Sequence, residues 1–169
     1  MFDALRNFVA ELAGADPTEK SFAEDDYRLA ATALLIHVAA SDGETDDAER
    51  RRLKDLIEER FGLDDAATQR LIEKAEQSDR DAVDFYQFTS ILKRALDEDG
   101  RLKVVEMMWD IAYADGAIHE FEENTVWRGA ELLGVSTRDR VLLRKRVADA
   151  TQSRTAQKGP WGAPEDCKD

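Results

Sequence analysis

Four acidic residues recur in two copies of one short motif, and their side chains could bind a metal ion. Asp42 precedes a glycine and stands seven residues before Glu49. Asp115 likewise precedes a glycine and stands seven residues before Glu122. Carboxylates that come together repel one another unless a cation lies between them, and hard ions such as Ca²⁺ or Mg²⁺ bind to clusters of oxygen atoms. The pattern is therefore compatible with a divalent-cation site whose ligands are Asp42, Glu49, Asp115 and Glu122.

The same carboxylates also suit a structural role in capping helices. An Asp-Gly pair can end a helix because glycine readily adopts the left-handed conformation. Asp46 with Glu49 three residues later has the pattern of a capping box at the start of the next helix. His119 and Glu122 occupy the equivalent positions in the second copy. The sequence leaves capping and cation binding open.

Neither copy matches an established metal loop or enzyme motif. If Asp42 were the first position of an EF-hand loop, Asp47 would replace the required glycine and Leu53 the bidentate glutamate. The two histidines and the single cysteine share no zinc-ligand spacing. Phosphate-loop, dinucleotide-binding, zinc-protease and nucleophile-elbow motifs are also absent from the sequence. We therefore expect a protein that is not an enzyme, with a metal-dependent hydrolase using the same carboxylates as the alternative.

The two motifs lie within a longer internal repeat. The offset between the copies is 73 residues at every aligned position from Arg28 to Leu53 of the first copy. This duplication predicts two related helical hairpins, at about residues 27–77 and 100–150. Packing of the hairpins about an approximate two-fold axis would bring the acidic residues of both copies together.

Apolar periodicity predicts an all-α chain. Proline is absent between residues 17 and 160, and no long segment alternates polar and apolar residues. The segment from Tyr27 to Ala40 is apolar on nearly all sides, which is typical of a central helix. It contains His37, whose counterpart in the second copy is Asp110. Because a buried polar side chain needs a partner, we predict that these two residues pair across the two halves.

One-sided apolar stripes predict the remaining helices, together with a short helix at about residues 65–76. The stripes are Leu53, Leu56, Ile57 and Phe61; Phe85, Phe88, Leu92 and Ala95; Leu102, Val105, Trp109 and Ala112; Val126, Ala130 and Leu133; and Val141, Leu142 and Val147. The predicted fold is a compact bundle of about seven core helices in two pseudo-symmetric halves, over residues 27–150.

The two end segments differ from this bundle. Residues 1–26 combine an N-terminal amphipathic helix with an acidic linker, and the helix either docks on the core or binds elsewhere. Its apolar stripe consists of Phe2, Leu5, Phe8, Val9 and Leu12. Residues 151–169 are rich in polar, charged, glycine and proline residues, which predicts a disordered tail.

Composition limits the partners. The chain has 169 residues and a formal net charge of −13, so nucleic acid and anionic lipid surfaces repel it. The longest apolar stretch, Leu29 to Ala40, has 12 residues and is too short to span a bilayer, so we expect no membrane insertion. The single cysteine, Cys167, allows no intramolecular disulfide and suits a reducing compartment.

The paired A-x-x-D-G-x5-E segments and the apolar helix before each resemble the TerB-like family, which is associated with tellurite resistance and stress response. The resemblance covers about residues 27–149. It implies a two-half helical bundle in the cytoplasm, an acidic surface for metal ions, and partners that include membrane-associated proteins. The family's acidic residues fall on Asp42, Glu49, Asp115 and Glu122, whereas His119 departs from the acidic or proline-containing turns of the family.

The leading functional hypothesis is a non-enzymatic interaction module of the TerB-like kind, responsive to Ca²⁺ or Mg²⁺, in stress or metal resistance. The hydrolase is the first alternative. The second is a structural adaptor that binds through its N-terminal helix, with the acidic turns serving only as caps.

Overall fold

The described part of the chain is built from α-helices. The computed structural model describes residues 22, 23, 26–41, 43 and 45–157. Within these residues there are seven helices and no strand: α1 (Tyr27–Ala39), α2 (Asp47–Phe61), α3 (Asp65–Asp81), α4 (Tyr86–Ala95), α5 (Glu98–Ala112), α6 (Glu120–Leu132) and α7 (Thr137–Gln157). The all-α prediction is confirmed. The predicted N-terminal helix and the predicted tail beyond residue 157 lie outside the described residues.

Four of these helices begin at an aspartate that caps them. The side chain accepts a hydrogen bond from a backbone N–H of the first turn, a group that has no partner within the helix. The capping residues are Asp26 for α1, Asp46 for α2, Asp64 for α3 and Asp97 for α5. The helix boundaries therefore follow from residues next to them in the sequence.

Helix α1 is the centre of the bundle, as its all-round apolar pattern predicts. It packs against α2, α3, α4, α5 and α6. Leu34, Leu35 and Val38 are fully buried. Helix α5 has the corresponding place in the second half, where Trp109 and Ile111 are fully buried. The predicted roles of α1 and α5 as central helices are confirmed by this burial.

Each helix of the first half has a counterpart in the second. Shifted by 73 residues, α1 corresponds to residues 100–112, α2 to residues 120–134 and α3 to residues 138–154, which coincide closely with α5, α6 and α7. The packing partners also correspond, because α1, α2 and α3 contact one another and so do α5, α6 and α7. Helix α4 joins the two sets of three helices.

The structure differs from the predicted elements in three places. Helix α3 continues to Asp81 rather than to about residue 76. Helix α7 contains the predicted stripe, but Val141 and Leu142 are each 51% exposed, and Leu143 lies in the core with Val147. The same helix continues to Gln157 rather than ending at 150.

The additional residues of α7, 151–157, contact α5 through one side chain. Arg154 donates from Nη2 to Oδ1 of Asp110 over 3.2 Å and to Oγ1 of Thr151 over 3.3 Å. Arg154, which the sequence places in the predicted disordered tail, thus binds a buried carboxylate on α5. No helix in the described residues is both long enough and apolar enough to cross a bilayer.

Candidate functional site at the paired Asp-Gly turns

The glycines of the two Asp-Gly turns have matching backbone conformations. The φ angles of Gly43 and Gly116 are 93° and 89°, in the region that favours glycine. The N–H of Gly43 donates to the carbonyl of Ala40 over 3.0 Å, and the N–H of Gly116 donates to the carbonyl of Tyr113 over 3.0 Å. The predicted left-handed glycine is present in both turns. Asp42 itself lies outside the described residues.

The helix that follows the first turn starts with the predicted capping box. Asp46 Oδ1 accepts a hydrogen bond from the N–H of Glu49 over 3.0 Å, and Glu49 Oε2 accepts one from the N–H of Asp46 over 2.9 Å. In the second copy, Glu122 Oε2 accepts a hydrogen bond from the N–H of His119 over 3.2 Å. Both glutamates are buried, with exposures of 3% for Glu49 and 0% for Glu122. The predicted capping role of these carboxylates is confirmed.

Asp115 is turned towards its own loop. Its Oδ1 accepts a hydrogen bond from the N–H of Ala117 over 3.0 Å, and its Oδ2 lies 3.5 Å from Nε2 of His119. Among the residues that the structure describes, no group of three or more histidine, cysteine, aspartate or glutamate side chains is arranged to hold a metal ion. Since Asp42 is not among them, the four-ligand site stays a prediction.

Each central helix contacts the second helix of the other half near its turn. Ser41 Oγ at the first turn lies 2.9 Å from Oγ1 of Thr125 on α6. Asp110 near the end of α5 accepts a hydrogen bond from Nη2 of Arg52 on α2 over 3.0 Å. Residues 52 and 125 are equivalent at the offset of 73. The two contacts therefore join equivalent pairs of helices, although Ser41 and Asp110 are not themselves equivalent positions.

The predicted pair between His37 and Asp110 is wrong. His37 Nδ1 lies 2.9 Å from Oδ1 of Asp79 on α3, and its ring centroid lies 5.1 Å from that of Phe85. Asp110 instead binds Arg154 on α7 as well as Arg52. Equivalent positions in two related halves face equivalent neighbours, α3 for α1 and α7 for α5. They therefore need not face each other.

The ion cluster around Asp110 is not among the sites predicted from the sequence. This carboxylate is only 7% exposed and accepts hydrogen bonds from two arginines that lie 58 positions before it and 44 positions after it. The sequence does place Asp110 in the most apolar helix of the second half. That position indicates a buried charge but does not identify the residues that pair with it.

A cavity of about 400 Å³ lies elsewhere on the bundle, between α1, α3 and α4. Leu29, Ala30, Phe88 and Ile91 form its apolar wall. Ala30 stands nine residues before the end of α1, which is about 14 Å along the helix axis from the Asp-Gly turn. None of the capping carboxylates lines this cavity.

Comparison with known proteins identifies the family. The family model described as tellurite resistance protein TerB matches residues 28–145, which is well over half of the chain. Neither a curated protein nor a solved structure matches the sequence significantly. The matched region begins in α1 and ends in α7, and so includes both Asp-Gly turns and every helix between them. The chain belongs to the TerB family.

Proposed function

We propose that this chain is a non-enzymatic interaction module that acts in the cytoplasm in a tellurite- or metal-stress response, and that its paired Asp-Gly turns bind a divalent cation. Membership of the TerB family supports a role related to tellurite resistance. The observation that carries the cation part is the matched backbone of the turns around Gly43 and Gly116. An aspartate precedes each glycine, so two carboxylates occupy equivalent sequence positions beside equivalent turns.

The four acidic residues divide into two pairs with different tasks in this proposal. Glu49 and Glu122 are buried, and each already binds the first backbone N–H of its helix start. Coordination through them would compete with the caps. Asp42 and Asp115 are the main ligands in this proposal, because Asp115 is exposed and can exchange its contacts with Ala117 and His119 more readily than a buried glutamate can leave its cap. The glutamates hold the turns in place.

The position of the cavity favours a binding role over the alternative hydrolase. A hydrolase that uses a metal-bound water needs room for substrate next to the carboxylates. The cavity between α1, α3 and α4 lies about 14 Å along α1 from the first turn. Substrate bound there would contact α1, α3 and α4, and neither Glu49 nor Glu122 is among the residues that line the cavity.

Calorimetric titration of metal-stripped protein with Ca²⁺ and Mg²⁺ tests the cation site. We expect binding to the wild type and its loss in the Asp42→Asn/Asp115→Asn double variant. The Glu49→Gln/Glu122→Gln variant should retain binding, because glutamine still caps a helix at this position. A matched control is Asp55→Asn/Asp149→Asn, which removes two exposed carboxylates elsewhere. Absence of any heat of binding, or equal binding by the Asp42→Asn/Asp115→Asn variant, would refute the cation site.

A growth assay tests the cellular role separately. Cells that lack this gene should grow less well in tellurite, and the wild-type gene should restore growth. Restoration by the cation-defective double variant would separate the resistance role from cation binding. Equal growth with and without the gene would remove the proposed resistance role.

A further inference from the structure

The exposed face of α7 combines apolar and basic side chains. Five exposed residues lie at positions i, i+3, i+4, i+7 and i+8 of the helix and so share one face, called here the α7 face: Arg138, Val141, Leu142, Lys145 and Arg146. Val141 and Leu142 are each 51% exposed, while Leu143 and Val147 on the opposite side are buried. The helix thus presents two apolar side chains to solvent, flanked at both ends by cations.

The cations of this face are largely available to a ligand. No ion pair joins Arg138 or Lys145 to another described residue. Arg146 lies 3.9 Å from Glu106, and its side chain is 67% exposed, so this pair is weak. Both acidic residues of α7 lie beside this face: Asp139, which is hydrogen-bonded to Ser136, stands three positions before Leu142, and Asp149 stands one turn beyond Lys145. The helix as a whole has six basic and two acidic residues, in a chain whose net charge is −13.

We propose that the α7 face binds a short acidic segment of a protein partner, with apolar side chains of that segment packed on Val141 and Leu142. This inference rests on the proposed function as an interaction module and names its surface and the chemistry of its partner. An amphipathic segment supplies apolar anchors at helical spacing, and its carboxylates complement the cations at either end of the face. Packing on Val141 and Leu142 contributes most of the affinity for the segment, and the flanking cations fix the direction in which the segment lies on the helix.

The charge of the whole molecule favours a short segment over a membrane. An anionic bilayer is an extended surface, so it would also face the acidic remainder of a chain with net charge −13. Electrostatic interactions are screened beyond about 8 Å in physiological salt, so a short segment interacts mainly with the α7 face. Two half-exposed apolar residues are also a small anchor for insertion into lipid.

The test uses the full chain and a synthetic helical peptide of two heptads, with leucine at positions a, d and e and glutamate elsewhere. We expect the peptide to bind and to shift backbone amide resonances of α7. The Arg138→Glu/Lys145→Glu and Val141→Ser/Leu142→Ser variants should each bind about tenfold more weakly. A peptide with the same composition and scrambled leucines should bind weakly, which excludes attraction by charge alone.

Matched substitutions on other surfaces provide the control. Lys103→Glu on α5 and Val83→Ser in the loop before α4 change exposed residues of the same chemical types, and both should leave peptide binding unchanged. Equal weakening in these controls, shifts confined to other helices, or no binding at all would overturn the α7 face as the site. A dimer that Leu142→Ser dissociates would show another occupant and overturn the proposal. Peptide binding that strengthens when residues 1–14 are removed would equally overturn it.

Vesicles of equal parts phosphatidylglycerol and phosphatidylcholine distinguish the lipid alternative. Binding of these vesicles through the α7 face, without binding of the peptide, would assign the face to membranes and refute the proposal. If the peptide does not bind, the cation site and the resistance role are still tested independently by the titration and the growth assay. Loss of the cation response without loss of peptide binding would reject the cation site and retain the α7 face.

Discussion

At the level of single residues, the buried charge of Asp110 shows how strongly one side chain can depend on distant parts of the chain. Its carboxylate receives guanidinium groups from α2 and α7 at 3.0 and 3.2 Å. Breaking a buried ion pair by changing one partner is costly, because the remaining charge is left in a poorly hydrated place. Asp110 therefore stabilises the contact between the two halves and the last turns of α7.

The Asp110→Asn variant should be destabilised by about 3 kcal/mol, because Arg52 would lose its charged partner in a half-buried position. Urea unfolding measures this free energy. Asp149→Asn changes an exposed aspartate on α7 and should alter stability by less than about 0.5 kcal/mol. Arg154→Ala should cost less than Asp110→Asn, since the arginine side chain is 48% exposed. Equal stability of the Asp110 and Asp149 variants would contradict the assigned role.

A second residue links stability to pH. Burial alone would raise the pKa of Asp26, but its hydrogen bonds to Arg28 and the arginine charge outweigh burial and hold the pKa below its usual value of 3.8. The folded state thus binds this proton less readily than the unfolded state. The stabilisation is complete above the unfolded pKa and is lost as the pH falls through the folded value.

Asp26→Asn should therefore weaken the acid dependence of stability. We expect the free energy of unfolding of the wild type to fall more steeply than that of the variant as the pH drops below about 3.8. Urea titrations at several pH values between neutral and strongly acidic measure the difference. An unchanged slope in Asp26→Asn, relative to Asp149→Asn as control, would show that the Arg28 pair does not control this titration.

At the level of elements, the two Asp-Gly turns use glycine for its backbone and not for space. A Cβ atom added to Gly43 or Gly116 would meet no neighbour within 4 Å, but both residues have a positive φ. The conformation, and not packing, therefore requires glycine at these positions.

Gly43→Ala and Gly116→Ala should each reduce stability by about 1 kcal/mol, because alanine is strained at positive φ. The two losses should be similar, since the φ angles differ by only a few degrees, 93° against 89°. Thermal and urea unfolding give both values, and each variant serves as the comparison for the other. A large cost in only one variant would show that the turns are not equivalent.

At the level of the whole molecule, the halves are joined so closely that they should unfold as one unit. Helix α1 of the first half packs against both α5 and α6 of the second. The Arg52–Asp110 ion pair and the contact between Ser41 and Thr125 cross the same boundary. Contacts of this extent favour a single cooperative transition over separate domains.

The positions of the tryptophans make this testable. Trp109 on α5 and Trp127 on α6 both belong to the second half, and their ring centroids lie 5.7 Å apart. In a Trp161→Phe background, fluorescence reports the second half alone, whereas far-ultraviolet circular dichroism reports helices of both halves. We expect coincident urea midpoints. Separate midpoints would mean that the halves are independent.

The sequence by itself determined the features that depend on nearby residues. Apolar periodicity located the helices, and Asp46 with Glu49 specified a capping box, because each of these interactions spans one or two helical turns. The offset of 73 also located the two glycine turns, whose conformation is a local property of the backbone.

Only the tertiary structure decided which distant groups meet. His37 binds Asp79, Asp110 binds Arg52 and Arg154, and α7 turns Val141 and Leu142 outward. Each of these outcomes depends on the rotation of a helix about its axis and on the helix that packs beside it. Periodicity indicates an apolar face, but the docking of the whole bundle selects the partners of every polar side chain on that face.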